Sequence, residues 1–454
     1  MHETMPSTLG FSVLAEDSGP DDRASPSAGA GPRLGIASLP NQKTLHTPCL
    51  LVYAGRGCAR NVTWDALQRI GERISALDTR SASSAVAYQL DVLQLIHQQA
   101  NIRSFLSSSR ALSQPVPTAR AFLGVPDDNV LVATPRNPTS YDYVGMTRQS
   151  TDERASFMTS QGAAWMAPEE YMETACAVGA DIVVALGDEV VADARVNRLV
   201  ESSKRTIVWM QRALSWLEGR NQLPFLLCPI VGGGTIDKRR DAIKYMPYVQ
   251  DPRVHGVYVS GLGTGESVGI RQEILREVVA RVPKDKLRMV SGVSNPIEIL
   301  EAVRCGVDVF DAGFVDLATR AGLALCFPTD ADGGVRARAL GDPSAMSFDD
   351  SDATHAFDCA GYDGMKINLW ADSYKLDRSP LVDDCLCPSC QEHSRGYIHH
   401  LLVTHEMTAH VLLEQHNIFH MLRFFTGVRS AIRDGRFEQY REALVNYAQR
   451  WQRG

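Results

Sequence analysis

From Pro48 to Phe310 the chain repeats one pattern: a short apolar run followed by a stretch with helical spacing. The apolar runs are Cys49–Tyr53, Asp181–Leu186, Phe225–Val231, Val254–Val259, Leu287–Val290 and Val307–Phe310. Between them, helices are predicted at Pro168–Val178, 193–217, 238–246, 270–282 and Pro296–Cys305, two of them opening on a proline suited to a first helical turn. A run without polar alternation is covered on both faces, as strands of a parallel sheet flanked by helices are. Units recurring about every 20–45 residues imply such a parallel sheet. Their number favours the α/β fold of a (β/α)8 TIM-type barrel over an open doubly wound sheet.

The 454 residues exceed one ordinary domain, and the hydrophobic and charged fractions, 44% and 22%, exclude a wholly disordered or fibrous chain. Four segments are expected. Residues 1–32, rich in Gly, Pro, Ser and Asp, form a disordered tail, and 33–327 form the barrel. Residues 328–378, with Thr329–Gly334 and Phe348–Asp352, form an acidic, partly mobile insertion. Residues 379–454 form a metal-binding subdomain and C-terminal helices. Lys and Arg number 46 and Asp and Glu 53, a net charge of −7. That balance argues against a general nucleic-acid binder while leaving room for a local basic groove. No apolar run reaches the ~18 residues of a membrane span. The acidic start (Glu3, Glu16, Asp17, Asp21, Asp22) is neither a signal peptide nor a transit peptide. A reducing compartment follows, in which the ten cysteines are thiols or metal ligands.

The strongest chemical signal is Cys385-Leu386-Cys387-Pro388-Ser389-Cys390. This spacing lets one tight turn aim three sulfurs at a point, and Zn²⁺ accepts three thiolates and an imidazole in a closed, structural tetrahedron. The imidazole is one of His393, His399, His400, His405, His410, His416 and His420, and spacing does not choose among them. Cys49, Cys58, Cys176, Cys228, Cys305, Cys326 and Cys359 are scattered, several in apolar runs suited to a core.

In a barrel of this kind, function sits at the C-terminal strand ends. Asp188 and Glu189, Gly232-Gly233-Gly234, and the run Ser260–Glu266 all fall there. The glycines would let backbone approach a planar ligand or a phosphate, or would simply turn the chain. Asp308 and Asp311 flank Phe310, and strand geometry lets only one of them face the mouth. Asp311, the later residue, is the better pocket group, as nucleophile, general base or turn aspartate.

Taken together, Gly292-Val293-Ser294-Asn295-Pro296, Gly306–Asp311, the Cys-x-Cys-x-x-Cys cluster and the His-rich helix resemble the tRNA-guanine transglycosylases. That family exchanges the wobble guanine of certain tRNAs, for queuine in eukaryotes. The resemblance covers roughly residue 34 to the C-terminus. It implies that His416, followed by Asn417, completes a ligand set of Cys385, Cys387, Cys390 and His416 around one structural Zn²⁺. Within the family, Met289–Pro296, Tyr397–Thr404, Ile367–Leu369 and Pro380–Val382 are similar to the non-catalytic accessory subunits.

Departures from the family pattern sharpen that expectation. Catalytic members carry Asp-Ser-Gly-Gly-Phe-Gln after an early strand. Here the region reads Thr134-Pro135-Arg136-Asn137-Pro138, and Asp17-Ser18-Gly19 is a chance match in the tail. Val-Gln-Gly-Gly becomes Val231-Gly232-Gly233-Gly234, without the base-binding amide. Downstream of Asp311, Pro-Thr-Arg-Asn-Ala-Arg is reduced to Val315–Arg320 with one arginine. Asp311 keeps the nucleophile position, but catalytic groups act together and one alone is far too slow. The resemblance thus implies a non-catalytic subunit, without catalytic or cofactor-binding residues of its own. It would form a heterodimer with the catalytic transglycosylase, meet tRNA through that complex, bind no DNA and reside in the cytoplasm, including the mitochondrial outer surface. The alternatives are an active transglycosylase using Asp311, and a zinc-bearing barrel acting as a tRNA-binding module. Leu401, Val403, Met407, Val411, Leu412 and Phe419 form an apolar stripe available for the subunit interface or for packing within the chain.

Overall fold

A computed structural model describes residues 9–17, 31–77, 86–110, 118–137, 149–293, 295–330 and 364–452. They divide into two compact units: Met1–Arg60 with Ala85–Gly313, and Asn61–Ser84 with Phe314–Gly454.

The first unit opens with an antiparallel sheet of β1 (Gly10–Glu16), β2 (Arg33–Ser38) and β3 (Thr44–Thr47). The strand β1 corrects the expectation of a tail disordered through residue 32. Phe11, Val13 and Ala15 alternate with the more exposed Ser12, Leu14 and Glu16, a period-2 pattern that gains a partner only when β2 lies alongside. The remaining tail residues 1–8 and 18–30 lie outside the described residues.

Next come β4 (Cys49–Tyr53), β5 (Ala87–Asp91), β6 (Val130–Thr134), the hairpin β7–β8 (Ala155–Thr159, Gly162–Met166), β9 (Ile182–Val184), β10 (Phe225–Ile230), β11 (Val254–Val259), β12 (Leu287–Val290) and β13 (Val309–Asp311). Apart from the hairpin, each pairs in parallel with its neighbour, and β13 closes onto β4 with Val309, Phe310 and Asp311 opposite Cys49, Leu50 and Leu51. The result is the expected eight-stranded α/β barrel of TIM type. Helices between strands start on local signals. Asn295 caps Pro296–Arg304, its Oδ1 accepting from the Ile297 amide at 2.9 Å, and Ser267 caps Val268–Val279.

Leu51, Val132, Val184, Leu227, Tyr258, Met289 and Val309 fill the barrel, and Phe11, Ala37, Leu39 and Leu45 of the antiparallel sheet belong to the same core. That sheet seals the N-terminal end. Beneath it, Arg33 Nε and Nη2 donate to Asp308 at 2.9 and 2.6 Å, and the Arg288 amide donates to the same carboxylate at 2.8 Å. Burial pushes the Asp308 pKa up, against the pull of Arg33. Asp308 therefore belongs to the floor, while Asp311 points to the mouth, as strand parity requires.

The second unit contains the helix Trp64–Leu77, the strands β14 (Leu323–Leu325) and β15 (Lys366–Asn368), and the helices Pro388–Glu392, Arg395–Val403, Met407–Arg433 and Phe437–Gln452. Of the expected acidic insertion, residues 331–363 lie outside the described residues. Its described C-terminal part supplies β15, antiparallel to β14. The long helix Met407–Arg433 is the unit's spine. Its buried Asn417 accepts from the Leu325 amide at 2.8 Å and donates to Leu323 O and Thr319 Oγ1 at 2.9 and 3.0 Å, which fixes β14 beside it.

Candidate metal centre and barrel mouth

In the second unit, Asp384 takes a left-handed conformation (φ 56°) that turns the chain into Cys385. Cys387 caps the helix Pro388–Glu392, and Pro388 sits where its fixed φ suits a first turn. The Cys387 sulfur accepts from the Cys390 amide at 3.3 Å, which folds the third thiol back toward the first two. His416 projects from the spine helix with Nδ1 at 3.8, 3.5 and 3.3 Å from the sulfurs of Cys385, Cys387 and Cys390. All four ligand atoms lie within 4.8 Å of one another, and all four residues are buried. A zinc tetrahedron with Zn–S of about 2.3 Å and Zn–N of about 2.0–2.1 Å has S···N edges of about 3.5 Å. The observed edges bracket that value.

His416 Nε2 stands 2.8 Å from Leu325 O. That carbonyl can only accept, so Nε2 carries the proton and Nδ1 keeps its lone pair toward the thiols. Hydrogen bonds from Cys387 and then Cys390 draw the Cys385 pKa down. Three sulfurs and one imidazole, enclosed and without an open position, fit one zinc ion in a structural role.

The other histidines are placed elsewhere. His399 and His420 bond the carbonyls of Leu369 and Phe327 at 2.8 and 2.9 Å, His393 stacks on Tyr397, and His405 lies near Trp370. His400 is exposed and His410 partly exposed.

In the first unit, the barrel mouth gathers Asp91, Arg136, Asp188, Glu189, Arg239 and Asp311, all buried. Asp311 Oδ2 accepts from Ser291 Oγ at 2.6 Å and the Gly292 amide at 3.0 Å, and Oδ1 accepts from the Gly313 amide at 3.0 Å. Gly292 can serve because it has φ +80° and because a Cβ there would sit 2.2 Å from Leu262 O. Asp188 is held by Arg198 at 2.7 and 2.8 Å and by Arg205 at 2.5 Å.

The glycine turns are also explained from within. Arg239, on the helix Ile236–Tyr245, donates to Gly233 O, Ile230 O, Ser260 O and Gly261 O at 2.9, 2.7, 2.5 and 3.2 Å, tying the loops after β10 and β11 together. The Gly263 and Thr264 amides, which could cradle an anion, hold the Glu266 carboxylate at 2.6 and 2.9 Å, and Arg271 braces it at 2.7 Å.

Two buried carboxylates are satisfied less directly. Burial raises the Glu189 pKa, opposed by Arg136 and Arg239, and the Arg136 Nη1 contact is 3.6 Å. Burial pushes Asp91 up to about 7, against the amides of Gln94 and Leu93 and the charge of Arg56. Asp91 and Arg239 escaped sequence reasoning. Asp91 ends an apolar run, Ala87-Tyr88-Gln89-Leu90, that went unread as a strand, and Arg239 lies among the polar residues of a helix.

A family model described as queuine tRNA-ribosyltransferase matches residues 28–450. The chain is 30% identical over 431 residues to queuine tRNA-ribosyltransferase accessory subunit 2 of Xenopus tropicalis, covering 91% of this chain and 96% of that protein. It is 28% identical over 360 residues to the Homo sapiens protein of the same name, with coverages of 77% and 85%. It is also 28% identical over 287 residues to a queuine tRNA-ribosyltransferase of Lachnospira eligens, with coverages of 62% and 66%.

Proposed function

The chain belongs to the queuine tRNA-ribosyltransferase family, and from that premise we propose that it is the non-catalytic subunit of a heterodimeric enzyme. The complex exchanges the wobble guanine (position 34) for queuine in tRNAs with GUN anticodons, and a separate catalytic subunit performs the chemistry. One observation carries this reading: two of the mouth's carboxylates, Asp311 and Asp188, are engaged by the chain itself. Asp311, in the family's nucleophile position, spends both oxygens on Ser291, Gly292 and Gly313. Asp188 is neutralised by two arginines. The stretch after β6, Thr134-Pro135-Arg136-Asn137-Pro138, contains no aspartate. A nucleophile works only beside a base and a positioned substrate, and these groups are replaced here.

Cys385, Cys387, Cys390 and His416 would hold a zinc ion, which would supply folding energy. Of the apolar stripe, Leu401, Leu412 and Phe419 pack within the chain, whereas Val403 and Met407 are exposed, as are Trp370, Leu376 and Tyr397 of the same unit. Uncovered apolar side chains on this unit suit a partner subunit. No helix among the described residues is long and apolar enough to cross a membrane. A cytoplasmic site of action, with peripheral attachment at the mitochondrial outer membrane, is part of the same proposal.

The test mixes the purified chain with substrate tRNA and labelled guanine or queuine, with and without the catalytic subunit. Incorporation is expected only in the mixture, together with co-elution of both chains on size exclusion. Incorporation by this chain alone, abolished by Asp311→Ala, would overturn the proposal. Normal incorporation without co-elution would instead favour a free tRNA-binding module.

A further inference from the structure

We infer that the barrel mouth is a guanidinium-binding site whose resident ligand is the chain's own Arg136. Arg136 lies two residues beyond the end of β6 and is 5% exposed, so its side chain is enclosed and not extended into water. Its carbonyl accepts from Gln89 Nε2 and Thr134 Oγ1, both at 3.2 Å, which anchors the turn at its base. Its guanidinium faces Glu189, with Nη1 3.6 Å from Oε2, and Glu189 is itself 2% exposed. The same group acts electrostatically on Tyr258 of β11 and on Arg239 beyond β10. Arg136 therefore sits among residues from several strand ends, where a ligand of the barrel would be.

The charges around it explain why it stays. Glu189 is surrounded by Arg136, Arg239 and Asp188. Asp188 repels it and is already held by Arg198 and Arg205. Arg239 donates four of its five N–H groups to backbone carbonyls. Arg136 is the cation within ion-pair distance of Glu189, and an enclosed carboxylate without a nearby cation is strongly disfavoured. The site's chemistry, a buried carboxylate in a slot shaped by a planar cation, selects guanidinium or amidinium groups. This inference goes beyond the non-catalytic reading. Its test reads cation binding, and its failure would leave the assignment as a partner subunit untouched.

The experiment uses the full chain carrying Arg136→Ala, melted in increasing guanidinium chloride, with sodium chloride at matched ionic strength as control. The variant should melt below wild type, and guanidinium alone should raise its melting temperature saturably, by about 2–4 °C. Wild type should show no such rise, and adding Glu189→Gln to the variant should abolish it. A folded Arg136→Ala chain that does not distinguish guanidinium from sodium would overturn the inference. Should that variant fail to fold, Arg136→Gln preserves the side chain's reach without its charge. Its stability deficit should widen as pH rises, because Glu189 then ionises without its cation. A deficit independent of pH would also overturn the inference.

Discussion

The metal centre and the barrel mouth are both buried gatherings of polar side chains, and they are built in opposite ways. At the metal centre, three sulfurs and one imidazole nitrogen converge on a common point, and the surrounding hydrogen bonds, such as His416 to Leu325 O, leave those atoms directed inward. At the mouth, the carboxylates of Asp188, Glu266 and Asp311 are bonded by the chain's own arginines and amides. The first arrangement needs an outside partner to be satisfied, whereas at the mouth Asp188, Glu266 and Asp311 are satisfied without one and only Glu189 and Asp91 keep oxygens without a hydrogen bond among the described residues. Residue type alone would call both regions sites. The direction in which spare lone pairs point separates them.

The largest expected effect lies on the metal side. Cys387→Ser should lose zinc and destabilise the protein by more than about 4 kcal/mol, because binding energy at a closed site is folding energy. Metal analysis and thermal unfolding check this, with Cys305→Ser as a control that keeps its zinc. Stoichiometric zinc in Cys387→Ser would erase the contrast. At the mouth, Arg239→Met should cost about 3 kcal/mol by orphaning the carbonyls of Gly233, Ile230, Ser260 and Gly261, measured by chemical denaturation. A neutral result would mean that the glycine loops are held by something else. A smaller effect, about 1–3 kcal/mol, is expected for Asp311→Ala, which strands the Ser291 hydroxyl and two amides. Under the same comparison, a complex carrying Asp311→Ala should still exchange base at its normal rate. Loss of exchange in a folded complex would move Asp311 from scaffold to chemistry.

Much of this was legible in the residues themselves. Largely apolar runs such as Val254–Val259 and Leu287–Val290 become strands with the bounds read from sequence, since burial on both faces leaves little choice. Three thiols in six residues announced a metal site, but spacing alone did not distinguish His416 from the six other histidines, and only the family resemblance, through His416-Asn417, singled it out. That choice depends on helical phase and on Leu325, ninety-one residues away. β1 was hidden because an edge strand needs its partner to be a strand at all. The mouth was least legible. Asp188 and Asp311 look identical whether they face a substrate or an arginine, and Arg198 and Arg205 reach Asp188 only through the packing of a long helix.

Asp91 is the sharpest remaining probe of the contrast, because among the described residues no cation bonds it directly. Its Oδ1 has no hydrogen-bond partner among the described residues, and burial pushes its pKa up to about 7. A self-satisfied mouth should neutralise this carboxyl with a proton. The sign then follows. Between about pH 4 and 7 the folded chain holds a proton that the unfolded chain has released, so this group's contribution to stability falls as pH rises through that window and levels off above it. Asp91→Asn keeps an acceptor for the amides of Leu93 and Gln94 and cannot ionise. It should match wild type near pH 4–5 and exceed it near pH 8, by on the order of 1 kcal/mol, because the buried amide group takes back part of the gain. Denaturation midpoints of the two proteins across that range read the difference directly. A constant difference would mean that Asp91 stays ionised throughout, leaving the mouth with an unbalanced negative charge and a reason to bind a cation from outside.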